Sequence, residues 1–141
     1  MPSVQTSIHI AAPPSVVWSV LKDTAQWHTW NPTQPWLEGP LQQGGRARIA
    51  VGIGRWMARV PVTFATVSPE QALFWQGGLR PLLYARHGFS LSAADGGTHV
   101  DHIEHFSGLL PLISWWPLRA LLMPGYRRTN EGLRARAEAL V

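Results

Sequence analysis

The sequence predicts a single α+β domain in which a curved antiparallel sheet of six or seven strands wraps a long C-terminal helix around an apolar cavity. Three observations predict it. Strand-period alternation opens the chain and fills its middle, two helical segments follow the first strand directly, and the last third carries helical spacing. At 141 residues the chain fits one domain, residues 1–141. It buries roughly two-thirds of its unfolded surface on folding, enough for a true core.

From Ser3 to Ile10 the residues alternate, with Val4, Thr6, Ile8 and Ile10 on one face and Gln5, Ser7 and His9 on the other. That is a half-buried strand. Ala11-Ala12-Pro13-Pro14 ends it and opens a helix, since proline suits a first turn. Val17, Val20 and Leu21 give that helix its stripe through Lys22. Asp23-Thr24-Ala25-Gln26 has the form of a cap for a second short helix, which carries Trp27 and Trp30 and stops at Asn31-Pro32. Arg46 to Val51 and Met57 to Val67 alternate, and Leu73 to Gln76 is a short aromatic strand. Gly44-Gly45, Gly52-Ile53-Gly54, Ser68-Pro69-Glu70 and Gly77-Gly78 separate them as turns, and Trp36 to Leu41 is a further candidate strand. Tyr84 to Ala93 and Thr98 to Ser107 form the clearest hairpin, around Asp95-Gly96. Leu109 to Met123 is apolar and proline-punctuated, which suggests one or two short helical pieces. Pro124 then opens a longer helix to about Leu140, with Leu133, Ala137 and Leu140 as its stripe against Arg127, Arg128, Arg134 and Arg136. Two helices inserted after the first strand force that strand to pair with the last one, and a single helix cannot fill so curved a sheet.

Composition removes several classes of function. Hydrophobic residues make up 45% and charged residues 14%, against roughly 25% charged in an average soluble domain. The eight Trp serve as core or as cavity lining. With no Cys, disulfides, thiolate chemistry and Cys-ligated metals are excluded. The formal charge is +4, but the arginines are scattered and the basic tail also holds Glu131 and Glu138. It therefore reads as a solvated helix face, not a nucleic-acid surface. No signal peptide is visible. The stretch from Leu109 to Met123 is shorter than the ~20 residues that span a bilayer. A cytoplasmic protein without stable membrane insertion is the expectation.

The hairpin carries the candidate chemistry. With Asp95-Gly96 at its centre, Ala93 faces Thr98, Leu91 faces Val100, Phe89 faces His102 and His87 faces Glu104, all on one side. Phe89, Leu91, Val100 and Phe106 make that side apolar, so it points inward as a ligand-lining wall. His87, His102 and Glu104 then land inside it and need partners. A His87–Glu104 cross-strand hydrogen bond is the natural arrangement, with His102 free to meet a ligand hydroxyl or carbonyl. The set is a polar anchor, an acid/base pair or a structural polar pair. Arg86, Ser90, His99, Asp101 and His105 point to water. His99, His102 and His105 alternate faces and cannot converge on one metal ion, so no metal site is expected. There is no Gly-x-Ser-x-Gly elbow and no phosphate loop, and Gly52-Ile53-Gly54-Arg55 reads as a turn. Trp27 and Trp30 sit where a short helix plugs the curve of the sheet, and Trp30 is also counted with the lining. Trp115 and Trp116 belong to the cavity mouth, in a segment suited to a lid, a homodimer contact, a transient membrane-docking edge or plain core cover.

The chain resembles the START/polyketide-cyclase-like superfamily (SRPBCC, helix-grip fold), in particular its small bacterial polyketide cyclase/dehydrase-type members. The matching residues are Ile8-His9-Ile10-Ala11-Ala12-Pro13 with Val17-Trp18 and Leu21-Lys22-Asp23, then Trp27-His28-Thr29-Trp30-Asn31-Pro32. Gly44-Gly45, Gly97-Thr98-His99-Val100, Glu104-His105-Phe106-Ser107-Gly108, Asn130-Glu131-Gly132-Leu133 and Ala137-Glu138 follow in order. Gly132 departs from the usual Ala, and the segment before the last helix is bulkier than usual. Such members include lipid and hormone carriers, coenzyme-Q-binding proteins, aromatase/cyclases and co-chaperone-like proteins. The resemblance implies binding of a hydrophobic small molecule such as a lipid, isoprenoid or aromatic polyketide, with no cofactor. The alternatives are a cyclase/dehydratase using His87, His102 or Glu104, and a protein-interaction module.

Overall fold

A computed structural model describes residues 2–53 and 55–141. Seven strands form one antiparallel sheet in the order β1-β7-β6-β5-β4-β3-β2. They are β1 (Ser3–Ile10), β2 (Leu37–Glu38), β3 (Arg46–Ile53), β4 (Trp56–Ser68), β5 (Ala72–Leu79), β6 (Leu83–Ala94) and β7 (Gly97–Ser107). As expected, β1 pairs with the last strand, from Ser3↔His105 to Ile10↔Thr98. The register of β4 on β5 shifts between Phe64 and Thr66, and an extra residue on one strand bends and twists it. The Gly52–Arg55 turn expected between β3 and β4 falls partly on Gly54, outside the described residues.

Helix α1 (Pro14–Lys22) starts on its proline and buries Val17, Trp18, Val20 and Leu21. A 3-10 segment, Thr24–Thr29, follows. Asp23 makes no side-chain cap there; the backbone supplies the turn, through Gln26 N–H to Asp23 C=O at 3.0 Å. Trp27 and Trp30 are buried, and Trp27 Nε1 donates to Leu21 C=O at 2.9 Å, which locks the ring under the sheet.

The C-terminal third keeps the expected break but moves it. Within α2 (Leu109–Glu138) two helical pieces meet at a kink at Ser114 (φ −132°, ψ 24°), and the second runs through both Pro117 and Pro124 instead of starting at Pro124. The kink follows from Pro117, whose ring crowds the carbonyl four residues back and leaves no N–H to bind it. Pro124 removes a bond too, yet the helix continues, because Met123, Tyr126, Asn130, Leu133 and Ala137 form one buried stripe across it. An interior proline costs about 3 kcal/mol, and each large side chain buried returns roughly 1.5–3 kcal/mol, so the stripe wins. Leu140, expected on that stripe, lies beyond the helix end and is exposed.

Candidate functional site

The hairpin register came out as expected: Phe89↔His102, His87↔Glu104 and Leu91↔Val100 are paired. His87, Phe89, Leu91, Val100, His102 and Phe106 are buried, and His105 is exposed on the other side. The polar members, however, are wired differently from the expectation. His87 Nδ1 lies 3.6 Å from Glu104 Oε2, adjacent but beyond hydrogen-bond distance. His102 is not free, because both its ring nitrogens are taken. Its Nε2 meets His87 Nε2 at 2.5 Å and its Nδ1 meets Asn130 Oδ1 at 2.9 Å.

The proton positions follow from the partners. Asn130 Nδ2 donates to Thr6 Oγ1 at 2.8 Å, so its Oδ1 is the end facing His102 and accepts. His102 therefore carries its proton on Nδ1, and its Nε2 accepts from His87 Nε2–H. His87 is left with a lone pair on Nδ1, which takes an N–H from Gln34 Nε2 at 3.1 Å. The result is a one-way chain of neutral groups, Gln34 to His87 to His102 to Asn130 to Thr6, spanning β6, β7, α2 and β1. Burial holds both imidazoles neutral. It pushes His102 down to about 4 against the opposing bond from Asn130, and pushes His87 well below its ordinary 6.5, with the neighbouring His102 adding to the effect.

Glu104 stands apart from this chain. Burial raises its carboxyl from an ordinary 4.5 to about 8, so at neutral pH it is largely a carboxylic acid. Its side chain keeps 13% exposure, and among the described residues it makes no hydrogen bond. On the inner face of the hairpin it is left open to a further partner; deeper in the core, Trp30 Nε1 and Asn31 Nδ2 are also without one.

At the level of the imidazoles the space between sheet and helix is filled by rings, where an open hollow was expected. Phe89 stacks on His102 at 4.4 Å between centroids, His102 and His87 lie 4.8 and 5.2 Å from Tyr126, and Trp75 lies 5.0 Å from His87. Trp30, placed with the lining, packs on Trp27 and Phe89 in this core, together with Leu91 and Val100. The other end is looser. Val4, Phe106, Met123 and Tyr126 are buried there, and Trp115, Leu118 and Leu122 cover them only partly. Trp115 touches Phe106 at 5.8 Å, while Trp116 is turned to solvent. Of two surface clefts, of about 600 and 440 Å³, the first lies away from this site, beside His28 and Trp36, while the second, between β1 and α2, borders it at Thr6, Met123 and Asn130.

The residues missed from sequence are Gln34, Asn130 and Tyr126. Asn130 and Tyr126 carried a signal, since counting down from Ala137 and Leu133 by alternate fours and threes lands on both. Gln34 carried none: it reaches His87 from a loop folded by Asn31 Oδ1, which accepts from Gln34 N–H at 3.0 Å.

Comparison with known proteins adds the family. A family model described as "Polyketide cyclase / dehydrase and lipid transport" matches residues 1–138. The chain belongs to this family. Its fold is one that binds hydrophobic ligands, and solved structures repeat it at low identity. The Zhui aromatase/cyclase from Streptomyces sp. R1128 superposes with a TM-score of 0.77 at 17% identity, over 96% of this chain and 93% of that one. TTHA0849 from Thermus thermophilus gives 0.76 at 16%, over 99% of each chain. The di-domain aromatase/cyclase StfQ from the steffimycin biosynthetic pathway gives 0.78 at 10%, over 98% of this chain and 51% of that one. No curated protein matches the chain in sequence.

Proposed function

We propose that this chain binds a hydrophobic small molecule, a lipid, isoprenoid or aromatic polyketide-like compound, that carries at least one oxygen. Its apolar body lies under the first half of α2, among Phe106, Trp115 and Met123, and its oxygen accepts a hydrogen bond from Glu104. The observation that carries this reading is the neutral, unbonded carboxyl of Glu104, set between a closed aromatic core and a loosely covered apolar cluster. A carboxyl that is mostly buried and has no partner is held at a cost; a ligand oxygen would reduce that cost. The kink at Ser114 gives the covering segment a joint about which to swing aside.

The test is native mass spectrometry of the protein purified from its own host, followed by displacement of a fluorescent apolar probe by fatty acids, isoprenoids and polycyclic aromatics. A co-purified mass and displacement by one class are expected. Glu104→Leu should weaken binding about tenfold, the value of one lost hydrogen bond, while Glu104→Gln, which still donates, should stay close to wild type. No bound mass and no displacement by any class would end the proposal.

A second reading rests on the same place. Glu104 and His87 sit 3.6 Å apart with their proton affinities pushed in opposite directions. At neutral pH one is an acid and the other a base, the pairing that acid–base enzymes use. A dehydration would follow once Gln34 Nε2 gives up its bond to His87 Nδ1: that nitrogen takes a proton beside a carbonyl, Glu104 protonates the departing hydroxyl, and water leaves. His102 would act only by positioning His87. On a β-hydroxy carbonyl substrate, Glu104→Gln and His87→Ala should each abolish turnover, and unchanged rates would remove both from any mechanism.

A further inference from the structure

The first half of α2 is apolar on both faces. Pro111, Trp115, Leu118 and Leu122 turn toward the protein, while Leu109, Leu112, Ile113 and Trp116 turn away from it. The outward residues follow the spacing of one helical face and are strongly exposed, Ile113 at 81% and Trp116 at 77%. A helix apolar all round belongs in a core or in lipid, and only one side of this one is covered.

The patch extends beyond the helix. Leu109 N–H and Leu110 N–H donate to Pro81 and Leu82 C=O at 3.1 and 3.0 Å, so the β5–β6 turn lies against the start of α2. That turn adds exposed Leu79 and Leu82. Strand register puts the β3–β4 turn at the same end of the sheet, with Trp56 and Met57 exposed.

Charge then selects the occupant. Arg55 and Arg80 adjoin these residues in sequence, Arg119 follows one turn after Trp116 on α2, beside the β1–α2 cleft, and no Asp or Glu occurs between Glu38 and Glu70, between Glu70 and Asp95, or between Glu104 and Glu131. The carboxylates of Glu70 and Asp95 sit on turns at the opposite end of the sheet. Arg80 and Arg55 lie over the rings of Tyr84 and Trp56, at 4.0 and 5.6 Å. Arginine above an apolar base with Trp at the edge is the composition of a membrane–water interface. A second copy of the chain would set these arginines against one another. Among the described residues no helix is long and apolar enough to cross a bilayer, which leaves binding in the plane of its surface.

We propose that this end of the molecule, formed by the outer face of Leu109–Trp116 and the Leu79–Leu82 turn and flanked by Arg55, Arg80 and Arg119, docks reversibly on an anionic lipid surface. The proposal is independent of the ligand reading, because docking is measured with no soluble ligand present.

The experiment is vesicle flotation, with tryptophan emission as a second readout, on phosphatidylcholine vesicles with and without phosphatidylglycerol. The protein should float with the anionic vesicles, shift its emission to the blue, and dissociate as salt is raised. Arg80→Ala and Arg119→Ala should each weaken docking about fivefold, as expected for one basic residue at an anionic surface. Ile113→Asp should abolish docking while its circular dichroism stays that of the wild type, since the side chain lies mostly in solvent. Three results would overturn the proposal: no flotation on anionic vesicles, equal flotation of Ile113→Asp, or a vesicle-free dimer that Ile113→Asp dissociates while flotation is absent. The last would assign the face to a second copy.

Discussion

Glu104 binds a proton more tightly in the folded chain than in the unfolded one, and this has a definite sign. Its folded value of about 8 lies above its ordinary 4.5, so between these pH values the native state holds a proton that the unfolded state has lost. Stability from this group is complete below about pH 4.5 and falls as pH rises toward 8, by at most about 1.4 kcal/mol per unit. His102 acts in the other direction. Its folded value of about 4 lies below 6.5, so its contribution is present above 6.5 and is lost as pH falls toward 4. Glu104→Gln should therefore flatten the decline between about pH 6.5 and 8 and leave the His102 limb below 6.5 in place, as read by urea unfolding at a series of pH values. An unchanged slope between those values would mean that Glu104 is solvated and ionised. The pairing of residue 87 with residue 104 was legible because hairpin register is arithmetic once the turn is located. The direction of the hydrogen bonds was not, since Asn130 and Gln34 set it from elements distant in sequence.

Helix α2 shows what decides between local propensity and packing. Pro117 and Pro124 argue locally for interruption, and the sequence reads as separate pieces for that reason. The stripe from Met123 to Ala137 instead carries the second piece through Pro124, so the break falls at Ser114. β1, β4, the β6–β7 hairpin and α1 were legible nearly to the residue because their alternation and proline start are local signals, whereas Gly77-Gly78, read as a turn, continues β5 to Leu79, and the Trp36–Leu41 strand shrinks to Leu37–Glu38. The continuity of α2 through Pro124 depends on what it packs against. Gly132 tests the same balance. Alanine there would gain about 1 kcal/mol of helix propensity, but its Cβ would come 2.0 Å from the backbone oxygen of Trp30. Backbone cannot swing aside as a side-chain tip does, and overpacking of this kind costs about 1–3 kcal/mol. Gly132→Ala should therefore lower the urea midpoint. A raised midpoint would show that the 3-10 segment yields to the new methyl group.

Across the whole molecule, burial is distributed unevenly between two apolar clusters. Among the described residues, twenty buried side chains, Trp27, Trp75 and Leu133 among them, form the larger cluster, whereas four hold the cluster beneath the first half of α2. One helix bridges the two, so its halves are anchored by different amounts of packing, and the kink at Ser114 and the missing amides of Pro117 and Pro124 fall in or next to the poorly anchored part. Local opening follows local burial. Amides of 112–122 should therefore exchange with deuterium at least about tenfold faster than those of 126–137, a difference of about 1.4 kcal/mol in opening free energy. Peptide-resolved hydrogen exchange measures this directly. Equal protection along α2 would mean that the helix opens only as one unit. The segment could then neither swing aside for a ligand nor adjust to a lipid surface, and both proposals would have to work on a rigid end.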